Sequence, residues 1–118
     1  METKSKFFEL EERMIKFASS IIMFSNGLPK TTANRIISSQ VIRSAGSVGA
    51  NYIEANESLS KKDFIMRVKI SRKEARETAY WLRLISETTP QTKSNVLPLL
   101  KECSELVQIL SSILKKVQ

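Results

Sequence analysis

Apolar residues recur at alternating steps of three and four through most of this chain, and only a few short polar breaks interrupt them. Phe7, Leu10, Met14, Phe17, Ile21 and Phe24 set the pattern. Such a period places a stripe along one side of an α-helix and rules out the alternation of two that a half-buried strand needs. With only three Gly and three Pro in 118 residues, long helices are easier to build than many short strands joined by tight turns. The chain is long enough to bury a full core without disulfide or metal staples, and it reads as one domain over residues 1–118.

Punctuation divides the chain into four helices. The first is expected from about Thr3 to Ser25, ended by Asn26-Gly27-Leu28-Pro29, with Gly27 as a left-handed cap and Pro29 blocking continuation. The second runs from about Thr32 to Glu57 on a seam of Ile37, Val41, Ser44, Val48, Tyr52 and Ala55. Its middle is small, Ser44-Ala45-Gly46-Ser47-Val48-Gly49-Ala50. Two helical glycines at about 1 kcal/mol each against Ala imply that another backbone comes close there.

The third helix opens at Ser60, which with Asp63 resembles a capping box, and closes at Thr88-Thr89-Pro90. Its seam is Phe64, Val68, Ser71, Ala75, Thr78, Leu82 and Ile85. The fourth starts near Ser94 or Asn95 with Pro98 in its first turn, and carries a broad apolar face from Val96 to Val117. Short connections make neighbours antiparallel, so the expected architecture is all-α, an up-down-up-down four-helix bundle.

Composition excludes several chemistries. There is no histidine, and Cys103 is the only cysteine, so zinc ligation and Ser-His or Cys-His relays lack their residues. A di-metal bundle site at Glu54, Glu74 and Glu77 would need Glu-x-x-His pairs. Ser58-Leu59-Ser60-Lys61 spells S-x-x-K without the companion motifs, and Gly46-Ser47-Val48-Gly49 lies inside a helical period without the Lys-Ser/Thr of a P-loop. No catalytic residue, metal or cofactor is assigned, and the expectation is a protein that is not an enzyme. Cys103, among Leu100, Leu106 and Val107, is expected in the core. No signal peptide is recognisable, and the longest charge-free run, Phe17 to Pro29, is too short to span a bilayer. The expected location is the cytoplasm, away from membranes.

The formal charge is +7, unevenly placed: residues 1–60 carry seven basic and six acidic side chains, residues 61–118 twelve and six. On the third helix Lys62, Lys69, Arg76 and Arg83 recur at steps of seven, with Arg72 and Lys73 beside them. At 1.5 Å per residue this row spans about 30 Å, the extended arrangement that phosphate contacts need. A solvated face, RNA or DNA binding and an acidic protein partner are all open to such a row, and Tyr80 on the same side could stack on a base. A further stripe holds Asp63, Ile70, Glu74, Glu77 and Trp81. It is complementary to Arg43, Ser47, Ala50 and Glu54 on the second helix. Arg43 is therefore expected to meet Glu74 or Glu77, within the bundle or across a subunit boundary.

The central block, Ser39 to Ile85, covers about two-fifths of the chain. It resembles the four-helix-bundle family first found as intervening-sequence proteins inside large-subunit (23S) ribosomal RNA genes. The likeness is carried by Arg43-Ser44, Ser47, Asn51 and Glu54, then by Ser60-Lys61-Lys62-Asp63-Phe64 and by Lys73-Glu74-Ala75-x-Glu77-Thr78-x-Tyr80-Trp81-Leu82. Gly49 departs from it, standing where the family more often has Ala or a larger residue. The resemblance implies a bundle assembled as a homopentamer. It also implies a distant similarity to the accessory proteins of diversity-generating retroelements, basic pentamers that bind nucleic acid and a reverse transcriptase. The function expected is thus a self-associating basic accessory protein that binds structured RNA or DNA, the alternative being a structural or adaptor oligomer with a protein partner. Arg43, Ser47, Asn51, Glu54, Glu74, Glu77 and Trp81 are expected to form an internal or interface polar network.

Overall fold

In a computed structural model, which describes residues 2–118 and their side chains from Lys6 onward, the apolar periods become four long helices. These are α1 (Glu2–Asn26), α2 (Thr32–Asn56), α3 (Lys61–Thr88) and α4 (Lys93–Val117), with a single 3₁₀ turn (Pro90–Thr92) before α4. They pack side by side in a body 44 × 24 × 19 Å across. α2 lies between α1 and α3, and α3 between α2 and α4, while α1 and α4 meet over a short stretch only.

The seams expected from the period close on one another. Met14, Phe17 and Ile21 meet Val41, Val48, Tyr52, Val68, Leu82, Ile85, Leu106 and Leu110 in one buried core. Each large apolar side chain taken from water contributes about 1.5–3 kcal/mol. Phe7 is the exception, 43% exposed, because the start of α1 runs where α4 gives it little cover. For the same reason Leu99, Leu100, Val107 and Ile113 on the broad face of α4 are only half-buried.

α2 and α3 share the most extensive interface, and its centre is small and hydroxylated. The Ser44 and Thr78 hydroxyls lie 2.8 Å apart, Thr78 also reaches the Glu74 carbonyl, and the Ser71 hydroxyl donates across to the Val48 carbonyl at 2.7 Å. Short side chains let the two backbones approach, and each buried hydroxyl is satisfied, as burial requires. The glycines divide. A Cβ at Gly49 would stand 3.3 Å from Met14 Cβ, so α1 does come close there. Gly46 faces open space, with nothing within 4 Å, so the expected close approach does not hold for it within the chain.

The helix ends correct three further expectations. Gly27 has no positive φ; α1 stops by tightening, with Gly27 N–H to the Phe24 carbonyl and Leu28 N–H to that of Ser25, before Pro29. Ser60 caps α3 by accepting the Asp63 N–H at 3.0 Å, while the Asp63 side chain does not return the bond and instead favours the positive end of the helix. α4 begins earlier than expected, at Lys93. Pro98 therefore falls in its second turn, where its missing N–H removes one intrahelical bond.

Candidate nucleic-acid interface

Once the core face of α3 is fixed by Val68, Ser71, Ala75, Thr78, Leu82 and Ile85, the rest of the helix is committed to three surroundings. Its outward side carries Lys62, Lys69, Lys73, Arg76 and Arg83, all exposed. Among the described residues none of the five stands within ion-pair distance of a carboxylate. Arg72 departs from the row. It is half-buried toward α4, where its guanidinium donates to the Ser111 hydroxyl at 3.2 Å.

The row is broken into two shallow depressions. Lys62, Lys69 and Lys73 border one of about 640 Å³ floored by Ile65, Met66 and Ile70. Arg76 and Arg83 border another of about 450 Å³ with Tyr80, Leu84 and Glu87. Tyr80 is 59% exposed, and its ring is held edge-on against Trp81 with centroids 5.0 Å apart. Cations alternating with exposed apolar and aromatic faces can take phosphates and bases together.

The acidic-aromatic stripe is divided between the outward side and the α2 side. Glu77 and Trp81 are half-buried and Glu74 is buried, on the side of α3 that meets Arg43 of α2, whereas half-buried Asp63 and Ile70 line the depression bordered by Lys62, Lys69 and Lys73. Arg43 reaches over from α2 and contacts both Glu74, at 3.3 Å, and Glu77, within the one chain. The Trp81 indole N–H donates to the same Glu77 carboxylate at 3.0 Å. Ser47 and Asn51 form a separate group: the Asn51 amide donates to the Ser47 carbonyl at 2.9 Å and accepts from Arg67 at 3.4 Å. Glu54 is exposed and joins neither. Among the described residues no three carboxylate or thiol groups converge as a metal site. Cys103 is buried, and burial pushes its thiol up to about 12, which leaves it a core residue without nucleophilic character at neutral pH.

One ionic cluster has no counterpart in the sequence reading. Arg13 on α1 holds Glu102 through two guanidinium nitrogens at 2.7 and 2.8 Å and Glu105 at 2.8 Å, which pushes the arginine further up from its ordinary value. It ties α1 to α4 where apolar contact between them is thin. The signal available was an i, i+3 glutamate pair on α4, but nothing in the sequence identified Arg13 as its partner.

No helix of the described residues is long and apolar enough to cross a membrane. The fold matches the crystal structure of a protein of unknown function from the S23 ribosomal protein family of Bacteroides thetaiotaomicron. The two are 33% identical with a TM-score of 0.85, covering 93% of this chain and 98% of that one. Comparison with curated proteins yields no match. The family described as 23S rRNA-intervening sequence protein matches residues 7–112. With the match spanning nearly the whole bundle, this chain belongs to the 23S rRNA-intervening sequence protein family.

Proposed function

We propose that this chain is a self-associating basic bundle that binds structured RNA or DNA through the outward face of α3. It serves as a cytoplasmic accessory factor and not as an enzyme. What supports the reading is the set of five cations, Lys62, Lys69, Lys73, Arg76 and Arg83, exposed together and without a carboxylate partner among the described residues. A face that is merely solvated gains from interspersed opposite charge, and here that amounts to Asp63 at one depression and Glu87 at the other. Arg72, tied to Ser111, contributes charge from the flank.

Self-association, as a homopentamer by family resemblance, would repeat the row around an axis and raise avidity without new contacts. Exposed Phe8, Ile15 and Ile22, spaced by seven along α1, supply apolar surface for contacts between copies. Those same side chains also favour a second reading, an adaptor oligomer that binds a protein and no nucleic acid. The acidic-aromatic stripe supports that alternative poorly, since Arg43 already occupies two of its three carboxylates, Glu74 and Glu77.

Lys69→Glu combined with Arg76→Glu separates the two. Under the proposal the pair of reversals weakens binding to all RNA and DNA sequences alike and leaves the mass by light scattering unchanged. Wild-type protein that assembles yet retains neither RNA nor DNA at low salt leaves the adaptor reading in place.

A further inference from the structure

The end of the bundle where α1 turns into α2 is short of acid. From Arg13 to Ile53 the chain has no Asp or Glu, yet it carries Arg13, Lys16, Lys30, Arg35 and Arg43. Arg13 and Arg43 are taken up by glutamates of α4 and α3. Lys30 and Arg35 have no such partner among the described residues, and both border a cavity of about 420 Å³ with no acidic side chain in its wall. Ser25, Ser38, Pro29 and Ile42 line it as well.

The wall is held in place from within. Thr31 accepts the Asn34 N–H at 3.1 Å, and the Asn34 amide donates to the Pro29 carbonyl at 3.0 Å, which pins the turn against the first coil of α2. One group in that wall is left over. Ser25 is 7% exposed, and its hydroxyl is the one buried side-chain oxygen or nitrogen of the described residues with no hydrogen-bond partner. Native chains rarely leave such a group unsatisfied, which makes the Ser25 hydroxyl a spare donor beside this wall.

We propose that this cavity binds a phosphomonoester carrying a planar ring, the chemistry shared by a free nucleotide and by the phosphorylated end of a nucleic-acid strand. Lys30 and Arg35 supply charge-assisted donors to the phosphate oxygens, the guanidinium being suited to two at once. The Ser38 hydroxyl, and that of Ser25 after a turn about its χ1, add neutral donors. Ile42, further along α2, offers the apolar surface on which a ring lies. The volume falls in the range of small-molecule sites and suits one nucleotide rather than a duplex. The site lies on the α1–α2 side and does not depend on the α3 row.

Isothermal titration of the full chain tests it with adenosine 5′-monophosphate, with adenosine, and with a short RNA whose ends carry either phosphate or hydroxyl. The expected result is saturable binding of the monophosphate, at least about tenfold tighter than adenosine. Lys30→Ala and Arg35→Ala should each weaken it about tenfold without lowering the melting temperature, both side chains being exposed. Lys69→Glu should leave it unchanged, so this site and the α3 row fail separately. With the RNA arms run on the Lys69→Glu/Arg76→Glu chain, a mononucleotide that binds as well as the phosphorylated RNA makes free nucleotide the ligand; a phosphorylated RNA that binds better than both the mononucleotide and the hydroxyl-ended RNA makes it a strand end. Ser25→Ala should raise the melting temperature of the ligand-free protein, because an unsatisfied hydroxyl is removed, and weaken the monophosphate. No saturable binding, binding indifferent to the Lys30 and Arg35 substitutions, or a Ser25→Ala variant that melts lower overturns the proposal.

Discussion

Gly46 and Gly49 lie one turn apart in α2 and should respond to substitution with opposite sign. Both have ordinary helical φ, so replacing either by Ala relieves the propensity penalty of glycine, about 0.8–1.0 kcal/mol. At Gly46 nothing stands within 4 Å of the added Cβ, and the whole gain should appear as stability. At Gly49 the Cβ would meet Met14 Cβ at 3.3 Å, and a branched side chain would drive methyl groups into α1. Overpacking of this kind costs about 1–3 kcal/mol, more than the small propensity gain of Gly49→Val. Thermal unfolding followed by helical circular dichroism, at matched protein concentration, should therefore show Gly46→Ala melting about 4 °C higher and Gly49→Val several degrees lower. A Gly46→Ala variant that melts lower would mean that the position is not open, and that a second chain lies against it.

Arg43→Ala should cost about 1–2 kcal/mol in urea unfolding. It strands the largely buried Glu74 carboxylate, but Arg43 is itself 47% exposed, so water screens the pair and the loss falls short of a fully buried one. Arg13→Ala should destabilise by about 0.5–1 kcal/mol, and that difference should shrink in high salt, because the cluster it breaks is partly exposed. Cys103 should resist thiol reagents in the folded chain at neutral pH. Its folded thiol is pushed up to about 12 from an ordinary 9.0, so between those values the unfolded chain ionises first and stability falls as pH rises. Cys103→Ala should flatten that part of the pH profile of urea unfolding, whereas an unchanged slope would show that the thiol is not buried in solution.

The bundle was legible because its signal is local and periodic. Ile37, Val41, Ser44, Val48, Tyr52 and Ala55 are buried on α2, as their spacing requires, and boundaries agree to within a residue or two where Ser60, Pro29 and Thr88-Thr89-Pro90 mark them. What was not legible depends on how helices sit relative to one another. The thin contact between α1 and α4 leaves Phe7 exposed and creates the place that Arg13 bridges, and no periodicity in either helix encodes that angle. Helical phase put Glu74, Glu77 and Trp81 on one stripe correctly. It left open whether Arg43 would meet them within the bundle or across a subunit boundary, and it could not tell that Arg72, one residue from exposed Lys73, would turn toward Ser111. The cavity beside Lys30 and Arg35 was invisible for the same reason, since it needs the end of α1, the turn and the first coils of α2 in place together.

If the outward cations of α3 contact phosphate, the salt dependence of RNA binding must report it. With five contacts per engaged protomer, log K should fall against log salt with a slope of about −3.5 on single strands and about −4.5 on duplex DNA. Lys69→Ala should reduce that slope by about 0.7–0.9. Affinity indifferent to ionic strength, or a slope that Lys69→Ala leaves untouched, would mean that the α3 row does not contact phosphate.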